Sequence, residues 1–123
     1  MTTQDVANRL VALCREGKNN QAIDELYADN VVSHEPPGSP TPHVEGIDAV
    51  RQKEAAFNAM VEEWHGGEVS DPLVAENFFS VTMSMDITMK GAGRMNMEEV
   101  CVYGVKDGKV VLEHFYFTPM PQG

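Results

Sequence analysis

Three glutamates are candidate acid–base groups because of the residues that surround them. Glu35 directly precedes Pro36 and Pro37, whose rings fix φ, so its carboxylate would be held in one place, as proton transfer demands. Glu99 and Glu113 lie in segments where apolar and polar residues alternate. Partial burial raises a carboxyl pKa towards neutrality, which suits a general base or acid. These three residues are the predicted catalytic groups.

Each acid also has an ordinary structural interpretation. Most glutamates face solvent, and Glu35 at the start of a loop can do the same. A twist or bulge could release Glu99 or Glu113 to water, or pair one of them with Arg94 or Lys109, since a slip of one residue exchanges the two faces of a strand. The site hypothesis therefore depends on strand register.

The neighbours of these acids predict an apolar pocket for a small hydrophobic ligand. Large side chains at helix ends and on the strand faces that carry Glu99 and Glu113 would form its wall, and His34 could partner Glu35. Five of the eight methionines lie between positions 83 and 97, and methionine adapts to irregular ligands. The predicted pocket-lining residues are Tyr27, His34, Trp64, Met83, Met97, Cys101, Tyr103, Phe115 and Phe117. Core packing is the alternative role for such residues.

Three helices must position the N-terminal part of this site, because apolar residues recur there every three or four positions. Thr2 or Thr3 can cap the first helix, and Gly17 is a natural terminator. Asn19 or Asn20 can cap the second, whose apolar face extends to residue 27.

A proline-rich loop separates the second helix from the third. Residues 36–42, PPGSPTP, hold four of the seven prolines and cannot continue a helix or a central strand. The third helix follows Gly46 and runs to Trp64, a length of about 18 residues.

Beyond residue 67 the period changes to two, which is typical of strands. The turns KGAGR and KDGK join consecutive strands, the Asp-Gly pair being a strong hairpin signal. The predicted strands cover 68–74, 79–90, 95–105 and 110–117. Helices followed by a meander of antiparallel strands predict an α+β domain with the helices on one face of a curved sheet.

Composition limits the partners. The chain of 123 residues predicts one domain over residues 1–123, and 19 acidic against 9 basic side chains give a net charge of −10. Without a basic run, nucleic acid and anionic membranes are not expected partners.

No secretory or membrane-spanning pattern is present, so the cytoplasm is expected, with Cys14 and Cys101 reduced. Neither a Cys-x-x-Cys nor a His-x-x-x-His spacing occurs, so no metal and no cofactor is predicted.

Three segments carry a resemblance to a known group of proteins: LYADNVVSHEPPGS (26–39), HVEGIDAVR (43–51) and VYGVKDGKVVLEHFYF (102–117). They are similar to the exit of the second helix, the start of the third helix and the last two strands of the nuclear transport factor two-like superfamily. That superfamily includes ketosteroid isomerases and SnoaL-like polyketide cyclases. The resemblance spans nearly the whole chain.

The resemblance implies a cone-shaped, cystatin-like roll whose pocket lies between the helices and the concave side of the sheet. In the isomerases the acid before the proline is the general base, and Glu35 matches it. The positions of their oxyanion donors are held here by Leu10 and Cys101, which stabilise an enolate poorly, so a steroid isomerase is not expected.

Together these observations predict a protein that binds a small hydrophobic molecule and moves a proton on it without a cofactor, as an isomerase, cyclase or hydrolase. Glu35 or Glu99 would take the proton, and another carboxyl group or Tyr103 would return it. The alternative is a non-catalytic ligand-binding, dimerisation or adaptor module. A homodimer through the outer face of the sheet is also expected. The residues predicted for that face are Val110, Leu112, His114 and Tyr116.

Overall fold

Three helices cover one face of a seven-stranded sheet in the computed structural model, which describes residues 1–119. The helices are α1 (Thr3–Arg15), α2 (Asn19–Leu26) and α3 (Ile47–Met60). The strands are β1 (Tyr27–His34), β2 (His43–Glu45), β3 (Val61–Val69), β4 (Leu73–Ala75), β5 (Phe78–Met89), β6 (Gly93–Lys106) and β7 (Lys109–Tyr116). The expected α+β class is confirmed.

The first two helices begin differently. Thr2 caps α1 in a capping box: its hydroxyl accepts from the Asp5 N–H at 3.1 Å, and the Asp5 carboxylate accepts from the Thr2 N–H at 3.0 Å. This satisfies two backbone donors that the helix leaves without partners. The predicted caps Asn19 and Asn20 instead lie inside α2, which begins after Lys18 without a side-chain cap.

The second and third helices both end earlier than the sequence predicts. Tyr27 is the first residue of β1, and α3 ends at Met60 after 14 residues, so that Trp64 lies on β3. Backbone pairing explains the second error, since Trp64 pairs with Ile87 of β5. Sheet pairing thus overrides a helical apolar period that continues past Met60.

The strands form one sheet in the order β2-β1-β7-β6-β5-β3, with β4 also paired to β5. The predicted hairpins β5–β6 and β6–β7 are present. The sheet is mixed and not purely antiparallel, because β1 runs parallel to β7. The parallel pair escapes prediction because strands distant in sequence form it. No helix among residues 1–119 is long and apolar enough to cross a membrane.

Register decides which residues of β7 face the helices. Tyr103 pairs with Glu113, and both are almost completely buried. A register shift between β6 and β7 follows Gly104, and beyond it Val105 pairs with Val110, which has no exposed surface. The bulge therefore brings Val110 into the core, and its predicted place on the outer face is wrong.

Candidate functional site

A buried carboxyl group, Glu113, forms the centre of a polar network under the helices. Only 3% of Glu113 is exposed. Its Oε1 accepts a hydrogen bond from Ser33 Oγ at 2.8 Å, and its Oε2 accepts one from the Tyr27 hydroxyl. Both donors lie on β1, the parallel neighbour of β7. Each buried polar atom of the carboxylate thus has a partner, as burial requires.

Lys53 joins this network to Glu35. The Lys53 Nζ lies 2.7 Å from Glu35 Oε2, donates to Ser33 Oγ at 2.6 Å, and is 3.7 Å from Glu113 Oε1. The ammonium group also lies over the Phe115 ring, 4.8 Å from its centroid, which adds a cation–π attraction. A single cation is therefore shared by two carboxylates in a site with little solvent.

Burial controls the titration of the network. Desolvation raises the pKa of Glu113, while the Lys53 charge and the hydrogen bonds from Tyr27 and Ser33 oppose that rise. Burial, followed by the Glu113 charge, raises the pKa of Tyr27 well above its usual value. Tyr27 therefore acts as a hydrogen-bond donor at neutral pH. Ser33 has no exposed surface, so it cannot attack a ligand as a nucleophile.

An open groove of about 1260 Å³ lies beside this network, between α1, α3 and strands β3, β5 and β6. This volume is enough for a small organic ligand. Among the side chains that line the groove are Glu54, Asn58, Trp64, Met83 and Glu99. Lys53, Glu35 and Glu113 are not part of its wall, so the polar network and the groove are neighbouring but separate features.

Two acids in the groove wall are desolvated. Burial raises the pKa of Glu99 to about 7; the Cys101 thiol, a donor 3.6 Å from Oε1, lowers it slightly. Burial and the Glu113 charge also raise the pKa of Glu54, against the opposing effect of Lys53. Near neutral pH the groove therefore offers one carboxyl group, Glu99, that readily exchanges a proton, and a second, Glu54, whose pKa is shifted in the same direction.

The predicted site residues divide into four groups. Glu99, Trp64 and Met83 line the groove. Glu35, Glu113 and Tyr27 belong to the network, with Phe115 packed against it. Met97 and Phe117 are half-buried outside the groove wall. His34, Cys101 and Tyr103 lie elsewhere.

The groove wall contains none of seven residues that were predicted to line the pocket, namely Tyr27, His34, Met97, Cys101, Tyr103, Phe115 and Phe117. Cys101 and Tyr103 are 0% and 2% exposed and belong to the core, where they share one cluster with buried residues of α1 and α2. His34 follows the buried Ser33 on β1, so strand alternation turns its side chain to the outer face. There it contacts His43 and His114.

Sequence reasoning missed Lys53 and Glu54 entirely. Both follow Val50, the buried residue of α3, by three and four positions, and residues at these spacings share one helix face. That spacing could have placed both charged side chains towards the sheet. It could not have shown that Lys53 contacts Glu35.

A curved mixed sheet covered by three helices, with an acid-lined groove on its inner side, defines a small-molecule-binding domain of the nuclear transport factor two-like class. The chain belongs to the SnoaL-like domain family, whose model matches residues 1–117. The family is one of small-molecule-binding proteins of the isomerase and cyclase type.

Solved structures agree with this assignment. A candidate SnoaL-like polyketide cyclase from Mesorhizobium loti is 35% identical, with a TM-score of 0.89 over 95% of this chain and 100% of that one. A nuclear transport factor two-like protein of unknown function from Burkholderia pseudomallei is 16% identical, with a TM-score of 0.78 over 96% and 92%. A ketosteroid isomerase-like protein from Catenulispora acidiphila, in complex with trimethylamine, is 14% identical, with a TM-score of 0.72 over 92% and 85%. No curated protein matches the chain.

Proposed function

We propose that the protein binds a small hydrophobic carbonyl compound in the groove and moves a proton on it by general acid–base catalysis, without a cofactor. The observation that carries this proposal is Glu99, a desolvated carboxyl group in the groove wall with a pKa of about 7. A base with a pKa near the working pH combines a useful ionised fraction with sufficient basicity.

Glu99 suits the role of base better than the other predicted acids. Glu35 is paired with Lys53 at 2.7 Å and lies outside the groove wall. Glu113 is 3% exposed and hydrogen-bonded on both oxygens, so a ligand cannot reach it. Tyr103 is 2% exposed, and burial raises its pKa well above the usual value. Only Glu99 combines access with a pKa near neutrality.

The rest of the groove supplies the complementary groups. The Glu99 carboxylate would remove a proton from carbon next to the ligand carbonyl and then return it to another position. The enolate oxygen formed between these steps needs a donor. The Asn58 amide lies in the groove wall and can donate such a hydrogen bond, and Glu54, also in the wall, can donate one in its protonated form. Trp64 and Met83 would hold the apolar body of the ligand.

A test follows from the first step, because a proton removed in deuterated water is replaced by deuterium. A panel of hydrophobic ketones and β-dicarbonyl compounds is incubated with the protein in deuterated water, and exchange is followed by NMR. We expect the wild type to accelerate exchange for at least one compound and Glu99→Gln to lose about a hundredfold or more. Glu62→Gln, on an exposed residue outside the groove, should retain the wild-type rate.

The alternative is a ligand-binding protein without turnover. Compounds that bind both wild type and Glu99→Gln, with no accelerated exchange in either, would favour that alternative. Exchange that survives in Glu99→Gln would show that another group is the base.

We further propose a homodimer that uses the outer face of the sheet, which the helices leave uncovered. Val100 and Tyr116 pair across β6 and β7 and are 44% and 49% exposed, and both also border the groove. Leu112 is half-buried nearby. Sedimentation should give twice the chain mass of 13.6 kDa, and Val100→Asp should reduce it to that of a monomer. A monomeric wild type at micromolar concentration would contradict this.

A further inference from the structure

Three histidines form a row on the outer face of the sheet, and none of them lines the groove. His43 on β2, His34 on β1 and His114 on β7 lie directly opposite one another in the strand register. The rings of His34 and His43 are 4.7 Å apart, and those of His34 and His114 are 5.3 Å apart. Nothing in the proposed proton-transfer reaction uses these residues.

The two nearest ring nitrogens have the spacing of metal ligands. His34 Nδ1 and His43 Nδ1 are 3.1 Å apart. Two nitrogens bound at 2.0–2.1 Å to one tetrahedral zinc ion lie about 3.3 Å from each other. An ion placed between these atoms would therefore need only a small adjustment of the two rings.

The outer contacts of the rings favour the tautomers that such an ion needs. His43 Nε2 lies 3.1 Å from Glu45 Oε1, so this nitrogen can carry the proton and leave Nδ1 as the ligand. A carboxylate on the far nitrogen of a ligating histidine fixes the ring and makes it a stronger ligand. His34 Nδ1 and His43 Nδ1 also lie within hydrogen-bond distance of each other, so a proton held between them must leave when an ion binds.

His114 can supply the third nitrogen. Its ring stacks on Tyr116 at 4.1 Å, and the Tyr116 hydroxyl lies 3.2 Å from His114 Nδ1, which leaves Nε2 for an ion. As placed within residues 1–119, no group of three or more histidine, cysteine, aspartate or glutamate side chains could hold a metal ion. The third ligand therefore requires a side-chain rotation of His114, whereas His34 and His43 are already close.

We propose that His34, His43 and His114 form a binding site for a late first-row divalent metal ion, with Glu45 orienting His43. Imidazole ligands on three adjacent strands suit zinc, copper or nickel. The fourth coordination position would face solvent, since His43 is exposed. The sequence could not indicate this site, because only the sheet brings positions 34, 43 and 114 together.

The test uses chelator-treated full-length protein titrated with zinc by calorimetry and with cobalt by visible absorption. We expect one zinc ion per chain, a tetrahedral cobalt spectrum, and nitrogen-15 imidazole shifts that report Nδ1 ligation at His34 and His43. His34→Ala or His43→Ala should weaken binding by about a hundredfold or more, and Glu45→Gln by about tenfold. His114→Ala should leave weaker binding by the remaining pair.

His65 is the matched control, because it is the fourth histidine and lies on β3 beside Thr88. His65→Ala should bind zinc as the wild type does. The proposal is overturned if the wild type binds no zinc at neutral pH, if His34→Ala binds as tightly as wild type, or if His65→Ala is as weak as His43→Ala. Circular dichroism of each variant shows whether the fold is retained, and the nitrogen-15 spectrum of the wild type tests the ligands without any substitution.

Discussion

Lys53 and Glu35 form a 2.7 Å ion pair in which the two side chains are only 12% and 15% exposed. Such a pair gains little net stability when whole, but removing one partner leaves an uncompensated charge away from water. The Lys53 ammonium also lies 3.7 Å from Glu113 Oε1. This single cation is therefore the counter-charge that two neighbouring carboxyl groups share.

Replacing Lys53 with methionine should destabilise the protein. The variant keeps the length of the side chain but leaves Glu35 and Glu113 without their shared counter-charge, and we expect a loss of about 3 kcal/mol in the free energy of unfolding. Urea denaturation at neutral pH measures it. Lys18→Met removes an exposed lysine paired with Glu16 and should cost less than about 1 kcal/mol.

The double variant Lys53→Met with Glu35→Gln makes the test specific. Neutralising Glu35 removes one of the two uncompensated charges, so part of the lost stability should return. A Lys53→Met protein no less stable than Lys18→Met would show that the ion pair has no structural importance.

The Tyr27 hydroxyl should be required for its hydrogen bond to Glu113. Tyr27→Phe removes one donor from a carboxyl group that water cannot reach, and we expect a loss of about 1–2 kcal/mol in thermal or urea unfolding. The pKa of Glu113, measured by carboxyl-carbon NMR, should rise further, because the bond from Tyr27 opposes the effect of burial. Tyr116→Phe, which removes a hydroxyl from a residue that is 49% exposed, should be nearly neutral. Equal losses in both variants would contradict this assignment.

The hairpins could be predicted from sequence because their determinants are local. Alternation defines β5 and β6, and the turn between β6 and β7 places Asp107 and Gly108 at φ values of +53° and +75°, which an Asp-Gly pair tolerates. The inward orientation of Glu113 was predicted correctly on the same grounds.

The errors arise where distant segments decide the outcome. No strand was predicted over residues 27–34, and Tyr27 was assigned to a helix, because the partner of β1, β7, lies some 80 positions away in sequence and pairs in parallel. The bulge that buries Val110 depends on the fit between β6 and β7. Lys53 could not be assigned to Glu35 because a loop of seven residues and a strand separate α3 from that carboxylate. These are contacts of tertiary structure, and no local pattern encodes them.

Glu99 should make the stability of the protein depend on pH. Its pKa in the folded protein, about 7, lies above the ordinary value of 4.5, so folding favours the protonated form. This contribution is fully present below about pH 4.5 and is lost as the pH rises through about 7. Glu99→Gln stays neutral at every pH. Its free energy of unfolding minus that of the wild type should therefore increase by roughly 2 kcal/mol as the pH rises from about 5 to about 8.

The matched comparison is Glu62→Gln, on an exposed residue of β3. Its difference from wild type should stay constant over the same pH range. A Glu99→Gln difference that is equally flat would mean that the Glu99 carboxyl group is well solvated, and would remove the basis for its role as the base.

Gly67 should be needed for the position of Trp64 in the groove. A Cβ atom at Gly67 would lie 2.6 Å from the Ser84 carbonyl oxygen and 2.9 Å from Cζ2 of Trp64, so Gly67→Ala must displace the backbone or the indole. We expect the free energy of unfolding to fall by about 1–3 kcal/mol. The fluorescence of Trp64, the only tryptophan in the chain, should also shift. Any compound that binds in the groove should bind more weakly. Gly66→Ala is the control, because its Cβ would meet nothing within 4 Å, and it should be neutral or slightly stabilising. If the two variants behave alike, close contact at Gly67 does not hold the indole against the groove.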